Sequence, residues 1–421
     1  MTAARAAGAK EQSAAGAKEQ GAARARGAKE HSARGQRPEA PLKLTGAARY
    51  AADHRPDGVL HAVLVGAPVA AGRLRGVDAA AALVLPGVTA VLTAADLPRF
   101  PELPPPSAVR VMPFSDDRIR YEGQPVAIVL AESVEAAEAG RAAVIVDCER
   151  EAPVLIGHGR REPAMGDEVR GDVDAALADA AITIEQTYLQ APRHHHAMET
   201  SGTVARWDGA RLTLWDAVQA SSTVIPVMST AFGLDAADVH VVAPHTGGGF
   251  GAKGYIWPHE ILAAAAARLA GRPVKLHLRR PDQFSNVGYQ PWMEQTIRLG
   301  ATADGVLLGL EHEVVNNTAL ADTHVEPATE ASKSLYAVPA LRLRQLVERV
   351  SLNVPTPMRA PVEGPGLWAL ESAMNELADA AGLDPLDVRL ANFAEVSPAD
   401  GRPWSSNGLR EAYEEGARRY G

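Results

Sequence analysis

Five of the ten residues from His245 to Gly254 are glycine. No regular helix or strand tolerates that density, since each interior glycine costs about 1 kcal/mol relative to alanine. The run is therefore an irregular loop. The β-rich segment Val239–Ala243 precedes it, and the alanine-rich segment Pro258–Ala270 follows with helical length. The chain is thus held to a strand, a glycine loop and a helix in succession. Such a loop lets the backbone approach a ligand closely and aims several N–H groups at one anion or oxo group. The nearby helix start adds favourable potential for negative charge. Gly254 follows Lys253 where a P-loop needs Ser or Thr, so this is not a P-loop. A plain structural turn is the competing reading, although Phe250 in the middle of the run is an odd residue for one.

The same alternation extends on both sides. Leu212–Ala217 and Val274–Leu278 read as strands, and Ser222–Phe232 and Pro365–Ala381 as helices. The last is closed by Gly382, with Asp384-Pro385 after it. Upstream, Leu60–Val65, Val88–Leu92, Val126–Leu130 and 144–149 read as strands, joined by a short alanine-rich helix at 79–83 and a capped amphipathic helix after Glu132. At 421 residues the chain is too long for one ordinary core. The expected organisation is a low-complexity disordered tail at 1–37, an α+β domain at 38–150, a linker at 151–181 and an α/β domain at 182–421. The tail repeats Gly-Ala-Lys-Glu at Gly8, Gly16 and Gly27 with unequal spacing, and after Met1 it has no large apolar residue. The chain stops inside a helical pattern at Arg418-Arg419-Tyr420-Gly421, which is expected of a truncated sequence.

Composition removes several function classes. The tail holds eight Lys/Arg against three Glu, a net of +5, so with −9 overall the remainder carries −14. A body this acidic argues against nucleic acid as the main partner. The best apolar run, Ala79–Leu92, is broken by Pro86-Gly87 and is too short to span a bilayer. No signal-type apolar core opens the chain, so the cytoplasm is the default expectation, with the periplasm open if a partner carries an export signal. Cys148 is the sole cysteine, which excludes internal disulfides and any thiolate-held zinc or iron–sulfur site.

Three further motifs carry chemistry. His194-His195-His196-Ala197-Met198-Glu199 has the residue types of a zinc site, but not the spacing that brings two histidines to one helix face. Packing or hydrogen bonding by these histidines is the alternative. Pro357-Met358-Arg359-Ala360-Pro361 is a stiff segment able to hold an N–H or a guanidinium at a site. Gln219, at a strand-to-helix junction, has a carboxamide able to donate to an oxo or carbonyl group.

The order His196–Glu199, Gln219, Gly247–Lys253 and Met358–Pro361 resembles the molybdenum-binding large subunit of the xanthine dehydrogenase/aldehyde oxidase family. The front domain resembles that family's a/b hammerhead domain, through Lys43–Asp53, Pro86-Gly87-Val88 and Tyr121–Ala127. The resemblance covers residues 40–421. It implies an α+β fold, the hammerhead domain being followed by the first part of a molybdenum-cofactor-binding α/β domain. It implies hydroxylation of an aldehyde or aromatic N-heterocycle with oxygen from water. It implies a molybdenum–molybdopterin cofactor, in the cytosine dinucleotide form common in bacterial members with separate subunits. It also implies separate [2Fe-2S] and FAD subunits to take the electrons.

By the resemblance, Gln219 hydrogen-bonds a molybdenum oxo ligand, and Gly248, Gly249, Phe250 and Gly251 line the cofactor. Arg359 and the backbone at Ala360 contact it from the opposite side. Purine-oxidising members place a glutamate where this chain has Gly254, and an arginine near Tyr289; both differences lean towards an aldehyde or another small aromatic substrate. Val362 stands where relatives often have glycine. The family's general base, a glutamate in a later Gly-rich motif, does not occur here, so this chain alone is expected to be inactive. A non-catalytic remnant serving as an interaction module is the rival reading.

Overall fold

A computed structural model of the chain describes residues 37–110 and 112–420. It divides into two units, Met1–Arg49 and Tyr50–Gly421. Of the first, the described part contains the short helix Ala40–Leu44. The tail expected at 1–37 lies outside the described residues except for Arg37. Among the described residues, no helix is long and apolar enough to cross a membrane.

The second unit is built on two large sheets and one small one. The first large sheet has seven strands, in the order Val239–Val242, Arg211–Asp216, Gly202–Asp208, Val274–His277, Leu60–Gly66, Pro125–Ala131 and Val88–Leu92. The join is a parallel pairing of Leu60 with Val274 through Ala62 with Leu276. Three strands expected in the front domain thus continue the sheet of the second. The reason is legible in their burial. Pro125–Ala131 is buried at every position, and Leu60–Gly66 at all but its second and last. Strands covered on both faces read as unbroken apolar runs and belong inside a large sheet. Helix Pro258–Ala270 packs on this sheet with its first ten residues buried. Its alanines allow close approach, and the Trp207 indole N–H donates to the Ala264 carbonyl at 2.8 Å.

The second large sheet is ordered Arg161–Pro163, Ala340–Val350, Leu307–Ala319, Met293–Ala301 and Ile182–Gln190, with Glu168–Arg170 also paired to Ala340–Val350. Helix Glu363–Ala381 covers it through Leu370, Ala373, Met374 and Leu377. The segment 151–181, expected to be a linker, is tied down instead. Its two short strands pair with Ala340–Val350, and the buried Glu348 carboxylate accepts the N–H groups of Gly157 and Gly159 at 2.7 and 2.8 Å. Short strands of three residues carry too little periodicity to be read from sequence. The third sheet, Arg118–Ile119, Gly72–Asp78 and Ile145–Arg150, belongs to the front region alone.

Most expected elements recur with shifts of one or two residues. Helix Val134–Ala143 starts at an N-cap, the Ser133 hydroxyl accepting the Ala136 N–H at 3.2 Å. The terminal pattern is helix Leu409–Tyr420.

Candidate cofactor site

The glycine loop begins just past the strand Val239–Val242 and reaches helix Pro258–Ala270 through a single 3-10 turn at Ala252–Gly254. Its shape depends on missing side chains. A Cβ on Gly249 would stand 2.3 Å from Oε1 of Gln219, and one on Gly247 would stand 2.5 Å from Cβ of Glu199. Gly251, at φ +112°, would place a Cβ 2.0 Å from the Pro357 carbonyl oxygen. Gly248 is also left-handed, at φ +95°, with the Phe250 ring 3.0 Å from a Cβ. Phe250 itself sits at φ +53° and leaves 46% of its surface exposed. A large apolar residue, held exposed on left-handed backbone, is what a ligand-facing wall needs and a plain turn does not.

Gln219 is bound to this loop on three sides. Its N–H donates to the Lys253 carbonyl at 2.8 Å. Its Oε1 accepts the N–H groups of Gly251 at 2.9 Å and Lys253 at 3.2 Å. Two donors facing one atom identify that atom as oxygen. Among the described residues, the Nε2 amide is then a donor without a protein acceptor, on an exposed residue. The Arg359 N–H donates to the Phe250 carbonyl at 2.8 Å, which brings the Pro357–Pro361 segment against the loop. The Arg359 side chain is exposed and pairs with no carboxylate among the described residues. Ala360 and Val362 follow at φ +56° and +69°, and the Val362 N–H is anchored by Oε1 of the buried Glu326 at 2.8 Å. The ensemble presents a free amide donor, a glycine cradle and an unpaired guanidinium, all suited to an anionic group with oxo oxygens.

The structure therefore brings Gln219, Gly248, Gly249, Phe250, Gly251, Arg359 and Ala360 together. It separates Tyr289 from them. Tyr289 is 4% exposed, burial pushes its hydroxyl pKa up, and that hydroxyl accepts from the Asn317 amide at 2.7 Å. Its carbonyl accepts the Thr356 N–H at 2.9 Å, so it braces the approach to Arg359 rather than facing a ligand. Gly254 has open space where a side chain would stand.

The histidine run does not converge. His194 packs its ring 4.5 Å from Phe284, and His195 points Nε2 at the Pro357 carbonyl, 2.8 Å away. Burial lowers the His194 pKa to about 4. Among the described residues, no group of three or more His, Cys, Asp or Glu is placed to hold a metal ion. The zinc reading has no support in this geometry.

Sequence reasoning missed the charged groups beneath the loop. Lys253 donates from Nζ to the Glu199 carboxylate at 2.9 Å, with the two side chains only 2% and 9% exposed. Burial lowers the Lys253 pKa, and the bond to Glu199 opposes that. Asp216 and Glu260 are also buried and adjacent; burial raises the Asp216 pKa to about 6, and burial with the Asp216 charge raises Glu260 well above the usual carboxylate range. Glu260 was hidden as an ordinary helix start: its carboxylate accepts the Trp257 N–H at 2.5 Å. Isolated Asp and Glu residues carry no sequence signal of burial.

Two domain families match. Residues 158–393 match the molybdopterin cofactor-binding domain, and residues 45–152 match the a/b hammerhead domain of aldehyde oxidase and xanthine dehydrogenase. The chain is 34% identical over 383 residues to the aldehyde oxidoreductase molybdenum-binding subunit PaoC of Escherichia coli strain K12, covering 89% of this chain and 52% of that one. It is 30% identical to the nicotine 6-hydroxylase large subunit of Paenarthrobacter nicotinovorans, covering 88% of this chain and 48% of the other. In fold it is similar to the aldehyde oxidoreductase of Desulfovibrio gigas, with a TM-score of 0.82 at 24% identity over 91% of this chain and 46% of that one. The chain spans about half the length of the curated relatives it matches. The matched domains, in the order expected of them and around the site just described, make this chain a member of the molybdenum-binding large-subunit family of xanthine dehydrogenase and aldehyde oxidase.

Proposed function

We propose that this chain holds a molybdenum–molybdopterin cofactor for the oxidation of an aldehyde or an aromatic N-heterocycle, with water as the oxygen source. The observation that carries the proposal is the locked Gln219 carboxamide, whose Oε1 is occupied by two loop N–H groups while Nε2 meets no acceptor among the described residues. Gln219, Gly248, Gly249, Phe250, Gly251, Arg359 and the backbone at Ala360 would hold the cofactor, which we take to be the cytosine dinucleotide form. When bound, that group supplies the redox chemistry. The chain's own part is electrostatic and positional. Nε2 of Gln219 donates towards developing negative charge, the glycine loop permits close approach, and the Arg359 guanidinium adds a fixed positive charge. Because the Gln219 amide and the loop backbone are set before substrate arrives, they need no reorganisation during the reaction.

No glutamate of the site takes the role of general base. Glu199 is committed to Lys253, and Glu326 to the Val362 N–H, so each supports the scaffold. Electrons would leave to separate [2Fe-2S] and FAD subunits; the relatives named as subunits of an aldehyde oxidoreductase and a nicotine hydroxylase support that arrangement. The cytoplasm is the proposed compartment. Gly254, where a purine oxidiser would carry a glutamate, favours an aldehyde over a purine.

The test is to purify the protein from its native source with whatever accompanies it. Molybdenum, pterin nucleotide and dye-linked oxidation of benzaldehyde and of xanthine are then measured. Molybdenum with aldehyde turnover is expected. Zinc in place of molybdenum, or metal-free protein without turnover, would overturn the proposal, the latter in favour of an interaction module.

A further inference from the structure

We infer that Lys253 and Glu199 are positioning residues that aim the free amide donor of Gln219, acting through a buried ion pair beneath the glycine loop. The inference rests on the reading of the site given above.

The connections run through single atoms. Lys253 meets Gln219 twice through its backbone: its carbonyl accepts the Gln219 N–H, and its own N–H donates to Oε1. The Lys253 side chain then reaches beneath the loop, where Nζ donates to the Glu199 carboxylate at 2.9 Å and to the Glu199 carbonyl at 3.0 Å. The same carboxylate oxygen accepts the Gly247 N–H at 2.7 Å, and the Glu199 N–H donates to the Gly247 carbonyl at 3.1 Å. The two ends of the loop, Gly247 and Lys253, are thereby clamped on one carboxylate. Gly249 lies between them, and the Gln219 side chain fills the place where its Cβ would stand.

A buried ion pair is a poor choice for stability alone, because desolvating two charges offsets most of their attraction, and apolar residues of equal volume are often as stable. What the pair adds is direction. Two of its bonds hold the backbone of Gly247 and two hold the side chain of Lys253, and the loop backbone between them supplies both N–H groups that set the Gln219 carboxamide. Without the pair, Lys253 and Gly251 would be free to turn, and Oε1 would lose the contacts that keep Nε2 outward. A displacement of this kind, far smaller than unfolding, is enough to lower turnover about 100-fold.

The test compares the full-length wild-type protein, purified with its partners, with two variants, E199Q and E199Q/K253M. The double variant removes both charges of the pair together, so neither partner is left alone, and the buried Asp216, which also feels the Lys253 charge, then holds its proton more tightly instead of standing ionised. Hydrogen exchange by mass spectrometry is read on peptides covering 245–254, 202–216 and 258–270, beside kcat and KM per bound molybdenum. Faster exchange confined to 245–254 is expected, with kcat lower by about 10- to 100-fold and KM within about twofold. Unchanged exchange at 245–254 in the double variant overturns the inference. So does faster exchange across all three peptides, which would mark a merely structural pair, and so does an unchanged kcat per molybdenum. If the wild-type protein carries no molybdenum, the proposed function has failed. The exchange pattern alone then decides whether the pair sets the loop.

Discussion

The carbonyl of Phe250 accepts the N–H of Arg359 at 2.8 Å, so the glycine loop and a distant segment are joined at these two residues. Sequence alone does not bring the two residues together. Phe250 is held at a left-handed φ by the glycines on both sides, and Arg359 is held by prolines at 357 and 361. Gly251 closes this junction, because a methyl group there would meet the Pro357 carbonyl.

Gly251→Ala and Gly254→Ala should therefore behave differently. The first adds a Cβ at φ +112° against a carbonyl 2.0 Å away, and we expect a loss of about 1–3 kcal/mol together with loss of bound molybdenum. The second adds a Cβ in open space at an ordinary φ, and we expect a change within about 0.5 kcal/mol. Thermal unfolding and molybdenum content of the two purified variants check this; equal behaviour would contradict the junction.

Val362 sits at φ +69° and ψ −67°, an unfavourable backbone for a β-branched residue. The bond from its N–H to the buried Glu326 holds it there. Val362→Gly should relieve that strain and stabilise the protein by about 1 kcal/mol, after allowing for the freedom glycine adds to the unfolded chain. A lower melting temperature would show that the Val362 side chain contributes packing that outweighs the strain.

Gln219→Glu keeps both acceptor contacts, with the N–H groups of Gly251 and Lys253, and removes the free donor. The expected outcome is an intact fold with aldehyde turnover per molybdenum lowered by about 100- to 1,000-fold. Dye-linked kinetics normalised to metal content measure it. Turnover like that of the wild type would remove Gln219 from the catalytic machinery.

Asp216 gives a dependence on pH. Burial raises its pKa to about 6, and the neighbouring Glu260 is raised as well. The folded state thus keeps a proton that the unfolded chain releases near pH 4. The contribution of this pair is fully present below that value and is lost as pH rises through about 6. Buried histidines act with the opposite sign: His259 is lowered to about 3 and His277 to about 4 by burial, so they cost stability as pH falls below 6.5. The Asp216 effect is isolated by difference. Asp216→Asn should gain in melting temperature relative to wild type between pH 5 and pH 8, and a flat difference would count against the shared proton.

Local sequence determined the loop, the helices and the buried strands of the first sheet. Glycine density, apolar runs and caps act over a few residues, so Pro258–Ala270 and the capped helix after Ser133 were readable, as was the motif order that marks the family. The tertiary structure alone decided the rest. The pairing of Leu60 with Val274 merges strands expected in separate domains, because a strand buried on both faces needs a neighbour on each side and sequence does not name which. The strands at 161–163 and 168–170 exist through pairing with Ala340–Val350, which gives order to a segment without periodicity. The pairing of Glu199 with Lys253, and of Asp216 with Glu260, follows from burial, and desolvation strengthens a charge interaction only after the fold has excluded water. Sequence names the residues that can meet a cofactor; long-range packing decides which of them are held still beside it.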